Sequence, residues 1–186
     1  MGTRVQEVYR FENMDGFRHI IGLRYRFLPY LYSEYMKAVL RDEMMFRPLA
    51  FDYPQDSHAV NVEDQLLLGD GLMIAPVYEQ NAEGRYVYLP EKMKMVRFKV
   101  DGKTEEEILD AGHHYVNISL TDVVVFVRPN HLIPMSLGGQ CVEDVDFENL
   151  QYISYIDNGE AVYEYYHDNG YEKDYENPEH IRVIRM

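Results

Sequence analysis

Between residues 15 and 40, apolar side chains recur at helical spacing. Phe17, Ile21, Leu28, Tyr32, Tyr35 and Val39 fall three, four and seven positions apart, the spacing of one wide helix face. Asp15 can cap the start by accepting from amides of the first turn. Pro29 lacks the amide that would bond the Tyr25 carbonyl, so a kink or two abutting helices are expected. Two short helices joined by a loop are the competing reading. Such a helix cannot bury its apolar face alone, so a sheet or a partner must cover it.

After Glu43 the period shortens. Met44–Ala50 reads as a short strand that ends early or lies at an edge, because Pro48 has no ladder amide to give. A loop around Pro54 follows. Asn61 can cap a short helix over Val62–Leu68, with Asp64 near its positive end and Gly69 as its stop. Apolar and alternating runs then mark strands at 72–78, 85–90, 93–100, 105–109, 114–120, 123–127 and 131–135. Asp101-Gly102 is a hairpin turn signal. Val123–Val127 is continuous and β-branched, as a strand buried on both faces would be. Short strands about ten residues apart predict a sandwich or barrel. Paired glycines make Ser136–Gly139 a linker candidate. Beyond it, runs at 150–156 and 161–166, turns at Asp157-Asn158-Gly159 and Asp168-Asn169-Gly170, a tyrosine-rich strand and a run at 180–184 predict antiparallel hairpins.

The chain of 186 residues has room for one domain or two small ones. Its net charge of −14 opposes phosphate backbones and anionic lipid, so neither nucleic acid nor a membrane surface is an expected partner. Cys141 is the single cysteine, which excludes an internal disulfide and a cysteine metal cluster. It fits a reducing compartment. No secretory leader is visible and no apolar run reaches the length of a membrane span, so a cytoplasmic location is expected. Seventeen tyrosines and no tryptophan are unusual. Most are expected to pack within strands, although a tyrosine ring with its hydroxyl also suits sugar or protein contacts.

Little chemistry stands out. Asp52 and Asp56 flank Pro54 and can order the loop or touch a ligand. Arg47, in an apolar strand, needs a partner if buried, and Asp52 or Asp56 can supply it. The histidines show no HxH or HExxH spacing. His113 and His114 should face opposite ways on a strand. Asp168-Asn169-Gly170 fails the calcium-loop register and reads as a turn. Ser33 and Ser57 lack a nucleophile context. No catalytic, cofactor-binding or metal-binding residue is assigned, and no cofactor is expected.

The series LRYRFLPYLY, MMFRPLAFDYPQD, QLLLGDGLMIAPV, YVYLP and VVFVRPNHLIPM, with YEYYHDNGYEKDYE near the end, resembles glycoside hydrolase family 31, the α-glucosidases and α-xylosidases. The resemblance covers roughly residues 15–177 and points to the C-terminal portion of such an enzyme. It implies an α+β chain: the end of a (β/α)8 barrel, followed by all-β sandwich-type domains. Residues 1–14 would be a lead-in, 15–71 the last barrel elements, 72–136 the proximal β-sandwich domain, and 137–186 the start of a distal one. The resemblance places the family's nucleophile, an aspartate in a Trp-x-Asp motif, and its acid/base aspartate on earlier barrel strands, and this sequence contains neither context. Two departures are Arg128-Pro129-Asn130, where relatives usually carry Arg-Ala-Gly, and the absence of tryptophan after Leu89-Pro90.

Two functions follow. The first is the structural C-terminal portion of a retaining α-glycosidase, inactive alone and associating with itself or with the barrel. The second is a non-catalytic β-sandwich module that binds carbohydrate or a protein partner. Tyr86, Tyr88, Tyr163, Tyr165, Tyr166, Tyr171 and Tyr175 would form its stacking surface, and exposure of these rings favours the second.

Overall fold

A computed structural model describes residues 12–171 and 173–186; residues 1–11 of the lead-in at 1–14 lie outside them. Two helices come first, α1 at Met14–Arg26 and α2 at Leu28–Arg41. Strand β1 (Phe46–Pro48), the single turn α3 (Leu49–Asp52), β2 (Leu66–Leu68) and β3 (Leu72–Ile74) follow. Then come β4 (Gly84–Leu89), β5 (Met93–Phe98), β6 (Thr104–Leu109), β7 (Gly112–Asn117), β8 (Val123–Val127) and β9 (His131–Met135). The last three strands are β10 (Gln151–Tyr155), β11 (Val162–Tyr166) and β12 (Ile181–Arg185).

The six-stranded sheet, in the order β1-β2-β3-β8-β5-β6, is the centre of the mixed α and β chain. It joins strands from residues 46–68 with strands from 72–127. Period-two alternation sends its side chains to two cores. Leu68, Leu72, Val96, Phe98, Val125 and Val127 join the core under α1, α2 and the C-terminal strands. Leu67, Met73, Met93, Met95 and Phe126 join the core under α3 and the β4–β7 ribbon. The expectation that Val123–Val127 is buried on both faces therefore holds from Val125 to Val127, while Val123 and Val124 are half-buried. Burying a side chain such as Phe126 stabilises by about 1.5–3 kcal/mol.

At Pro29 the abutting-helix reading holds. Phe27 ends α1 in helical conformation, and Pro29 sits in the first turn of α2, where a missing amide costs nothing. Ser136 is fully buried against this break. Its amide donates to the Arg26 carbonyl (2.8 Å) and its hydroxyl to that of Tyr25 (3.2 Å), the carbonyl that Pro29 cannot bond.

Four expectations are corrected. Asn13, not Asp15, caps α1, with its side chain accepting from the Gly16 amide. The buried helix face is Leu23, Phe27, Tyr30, Ser33, Glu34 and Met36, while Ile21, Tyr35 and Val39 are about half exposed. Polar bonds select this face. The Tyr30 hydroxyl donates to Leu68 O (2.6 Å), and the Ser33 hydroxyl accepts from the Tyr166 amide (3.0 Å). The Tyr163 hydroxyl donates to the buried Glu34 (2.8 Å), which also pairs with Lys37 (2.7 Å).

The third correction concerns Val62–Leu68, which is not a helix. Leu66–Leu68 pairs with both β1 and β3, so tertiary pairing overrides the local pattern. Gly69, at φ +61, turns the β2–β3 hairpin instead of ending a helix. A Cβ there would sit 2.2 Å from the Glu34 carboxylate. Fourth, β10 pairs with β9 and β11 with β12. The Asp157-Asn158-Gly159 turn therefore connects separate two-stranded sheets, held by the Asn130 side chain, which accepts from the Asp157 and Asn158 amides. The described part of the tyrosine-rich stretch after Gly170 carries no strand.

Candidate functional site

Arg47 and Asp52 meet at the edge-strand end of the large sheet. Pro48 fixes an extended exit from β1, and α3 turns the chain back within one helical turn. Residues five apart thereby face each other. Arg47 Nε and Nη2 donate to the two oxygens of Asp52 (2.9 and 3.2 Å), and Nη2 also reaches Asp70 Oδ1 (3.0 Å). From the far side, Arg128 Nη1 donates to Asp52 Oδ2 (3.0 Å) and Nε to Glu91 Oε1 (2.8 Å). The Tyr53 hydroxyl donates to the same Glu91 oxygen, and the Arg128 guanidinium lies 5.4 Å from the Tyr53 ring centroid.

This lattice sets the protonation states. Burial alone would raise the Asp52 carboxyl, but the Arg47 hydrogen bond and the charges of both arginines hold it below its ordinary range. Burial opposes the charge on Arg47 and Arg128, yet their carboxylate partners hold both above the usual value. Burial first, then the bond to Glu91, pushes Tyr53 far up, so its hydroxyl stays a donor.

Asp56 faces away from Arg47, which corrects that alternative. Its carboxylate accepts from the His58 and Ala59 amides (2.9 and 3.2 Å) and from the Tyr88 hydroxyl (2.6 Å). It therefore closes an Asx-type turn that leads into the 3-10 turn Ala59–Asn61. The Asp56 bond is the first cause that lifts Tyr88 to about 12.

The remaining candidates take structural places. His114 bonds the Asp110 carbonyl (2.7 Å), while His113 lies on the other face against Tyr88 and His58, with ring centroids 4.9 and 5.2 Å away. Among the described residues no group of three His, Cys, Asp or Glu is placed to hold a metal. Asp168 accepts from the Tyr32 and Tyr166 hydroxyls and from the Gly170 amide, the bonding of a closed turn. Tyr163, Tyr165 and Tyr166 point into the core, whereas Tyr86, Tyr171 and Tyr175 are exposed.

Chemically, this is a brace. A general acid needs a carboxyl held above its ordinary range. Asp52, Asp56, Asp101, Glu143 and Asp146, the described carboxylates with displaced ionisation, all move downward. Sequence reasoning missed the second half of the lattice, Arg128 with Glu91, Tyr53 and Asp70. The available signal was the repeated Arg-Pro dipeptide, 47–48 and 128–129, because a residue before proline is held extended and can project a guanidinium from a strand end.

Residues 42–133 match the model of the glycosyl hydrolase family 31 C-terminal domain. Alpha-glucosidase 2 of Bacillus thermoamyloliquefaciens is 28% identical over 185 residues, which are 98% of this chain and 23% of that protein. Human neutral alpha-glucosidase AB is 27% identical over 195 residues, 100% of this chain and 20% of its own length. The chain thus spans about a fifth of the length of these curated relatives. Among solved structures, a GH31 dextranase of Flavobacterium johnsoniae complexed with glucose aligns with TM-score 0.74 and 25% identity, over 94% of this chain and 21% of that one. A GH31 alpha-xylosidase from Xanthomonas citri aligns with TM-score 0.69 and 25% identity, over 96% and 19%.

Proposed function

We propose, because this chain belongs to glycoside hydrolase family 31 as a C-terminal portion of its enzymes, that it braces the catalytic body of a retaining α-glycosidase and does not hydrolyse glycosides itself. In the complete enzyme two carboxylates would act on α-glucosides or related sugars through a covalent glycosyl intermediate. Here β1 would be the last barrel strand, and the sheets after it the sandwich-type support.

The observation that carries this reading is the apolar surface left open between residues 35 and 51. Tyr35, Val39, Met44, Phe46 and Phe51 are each about half exposed, and β1 lies at the sheet edge. Exposed apolar side chains on α2 and around an unpaired strand edge favour docking against another body. The Arg47–Asp52–Arg128 lattice holds that edge on the β-strands behind it.

The test is hydrolysis of aryl α-glucoside and aryl α-xyloside by the purified chain, with a parallel preparation from cells lacking it. No turnover above that control is expected. Turnover that follows the chain through successive purification steps would overturn the proposal.

A further inference from the structure

The outer face of the β4–β7 ribbon carries aromatic side chains, of which Tyr86 and Tyr115 are more than half exposed and Tyr88 is partly buried against the core. Val87, Leu89 and Val116 point inward and are buried. The alternate residues point out, and the register sets Tyr86 opposite Tyr115 and Tyr88 opposite His113. The Tyr86 and Tyr115 rings are 5.0 Å apart, edge to face, and Tyr88 and His113 are 4.9 Å apart. His58 extends this stripe at one end, 5.4 Å from Tyr88. At the other end, Tyr86 and Tyr115 line a cleft of about 390 Å³ with Tyr78, Glu79, Glu83 and Arg85.

Tyr78 is fixed there. Its hydroxyl donates to Asp64 (3.2 Å), which also pairs with the largely buried Arg85 (2.6 Å). Tyr86 is 73% exposed, Tyr78 69% and Tyr115 53%. Three well-exposed tyrosines at one cleft are costly to leave in water unless something stacks on them.

We infer that this cleft and its aromatic stripe bind a neutral oligosaccharide, separate from any hydrolytic site. The rings offer apolar faces to the C–H surfaces of a pyranose. Glu79 and Glu83 offer acceptors to its hydroxyl protons. The guanidinium of Arg85 is occupied by Asp64 and by the Asp64, Pro76 and Tyr86 carbonyls, so it adds no free cation to hold an anion. The chain's net charge of −14 opposes anionic glycans as well. An exposed aromatic cleft of this kind, with its Tyr86 and Tyr115 rings edge to face, suits weak contacts with the faces of successive sugars. This inference does not depend on the bracing role, since it concerns binding rather than hydrolysis.

The experiment is a titration of the purified chain with maltoheptaose, read by calorimetry and by saturation-transfer NMR. Saturable binding with a dissociation constant of about 1 mM is expected, a typical weak affinity near 4 kcal/mol. The Tyr86→Ala/Tyr115→Ala double variant should weaken it about tenfold or more, with an unchanged melting temperature because both side chains lie at the surface. Tyr86→Phe/Tyr115→Phe keeps the rings and should retain most of the affinity. Tyr171→Ala, an exposed tyrosine elsewhere, should leave it unaltered. No saturable binding, equal binding by the double alanine variant, or tighter binding of dextran sulfate than of maltoheptaose would overturn the assignment. So would a proline-rich peptide that displaces maltoheptaose and binds more tightly.

Discussion

Replacing Asp52 with asparagine isolates the lattice that ties the edge strand to the β-strands behind it. The substitution keeps the side chain's shape and removes its charge. It leaves Arg47 and Arg128, each with a side chain only 15–16% exposed, without their shared carboxylate. Breaking one fully buried pair costs about 3–5 kcal/mol, and an exposed pair about 0.2–1 kcal/mol. Asp52 is 21% exposed and Arg47 keeps Asp70 while Arg128 keeps Glu91. An intermediate cost of about 2 kcal/mol follows. For a chain of this length that lowers the melting temperature by about 4–8 °C. The pH dependence provides a second readout. A carboxyl held below its ordinary value contributes stability above the unfolded-state pKa of about 4 and loses it as pH falls through the folded-state value. The variant should therefore lose less stability than the parent between neutral and acid pH. Calorimetric melts at a series of pH values measure both. A shift under about 1 °C at neutral pH, with an unchanged acid slope, would refute the claim that Asp52 bridges two arginines energetically.

Two further outcomes follow from buried hydroxyls. Ser136→Ala removes the donor to the Tyr25 carbonyl at the helix break and should cost about 1–3 kcal/mol in denaturant unfolding. Tyr30 and Tyr163 are pushed well above the ordinary tyrosine value, by burial first and then by the Glu34 charge. Raised pKa values contribute stability below about pH 10 that is lost as pH rises toward the folded-state values. Stability should therefore fall above about pH 10, with the last tyrosinate absorbance appearing together with loss of the far-ultraviolet circular dichroism.

Strands were more legible than their partners. A continuous β-branched run such as Val123–Val127 and a loosely alternating one such as Met93–Phe98 show where a strand lies, because burial on two faces or one is written into neighbouring residues. Pairing is written nowhere so local. The sequence between β10 and β11 looks like a hairpin turn, yet both strands prefer other neighbours, β9 and β12. Leu66–Leu68 is too short to carry a period, and only pairing on both sides makes it a strand. At the site, Arg47 with Asp52 was legible because five residues of chain and one turn bring them together. Arg128 lies 76 residues from Asp52 and meets it only once the sheet has formed.

The helices give the most informative mismatch. The strongest apolar spacing in α1 and α2 belongs to Phe17, Ile21, Leu28, Tyr32, Tyr35 and Val39, but the chain's own core takes the neighbouring face. That neighbouring face carries Tyr30, Ser33 and Glu34, whose hydrogen bonds to Leu68, Tyr166 and Tyr163 would be lost if the helix rotated. Hydrogen bonds to buried partners are costly to break, so they fix the rotation, and the apolar stripe is turned outward. A stripe of Ile21, Tyr35 and Val39 left about half exposed gains nothing for this chain by itself. It gains when a second body covers it, at about 25 cal/mol for each Å² of apolar surface removed from water. Periodicity therefore identified a real face and left its cover open between a sheet and a partner. In the bracing role proposed for this chain, that partner is the catalytic body, and the face carrying Tyr30, Ser33 and Glu34 is the one that holds the β-strands in place behind it.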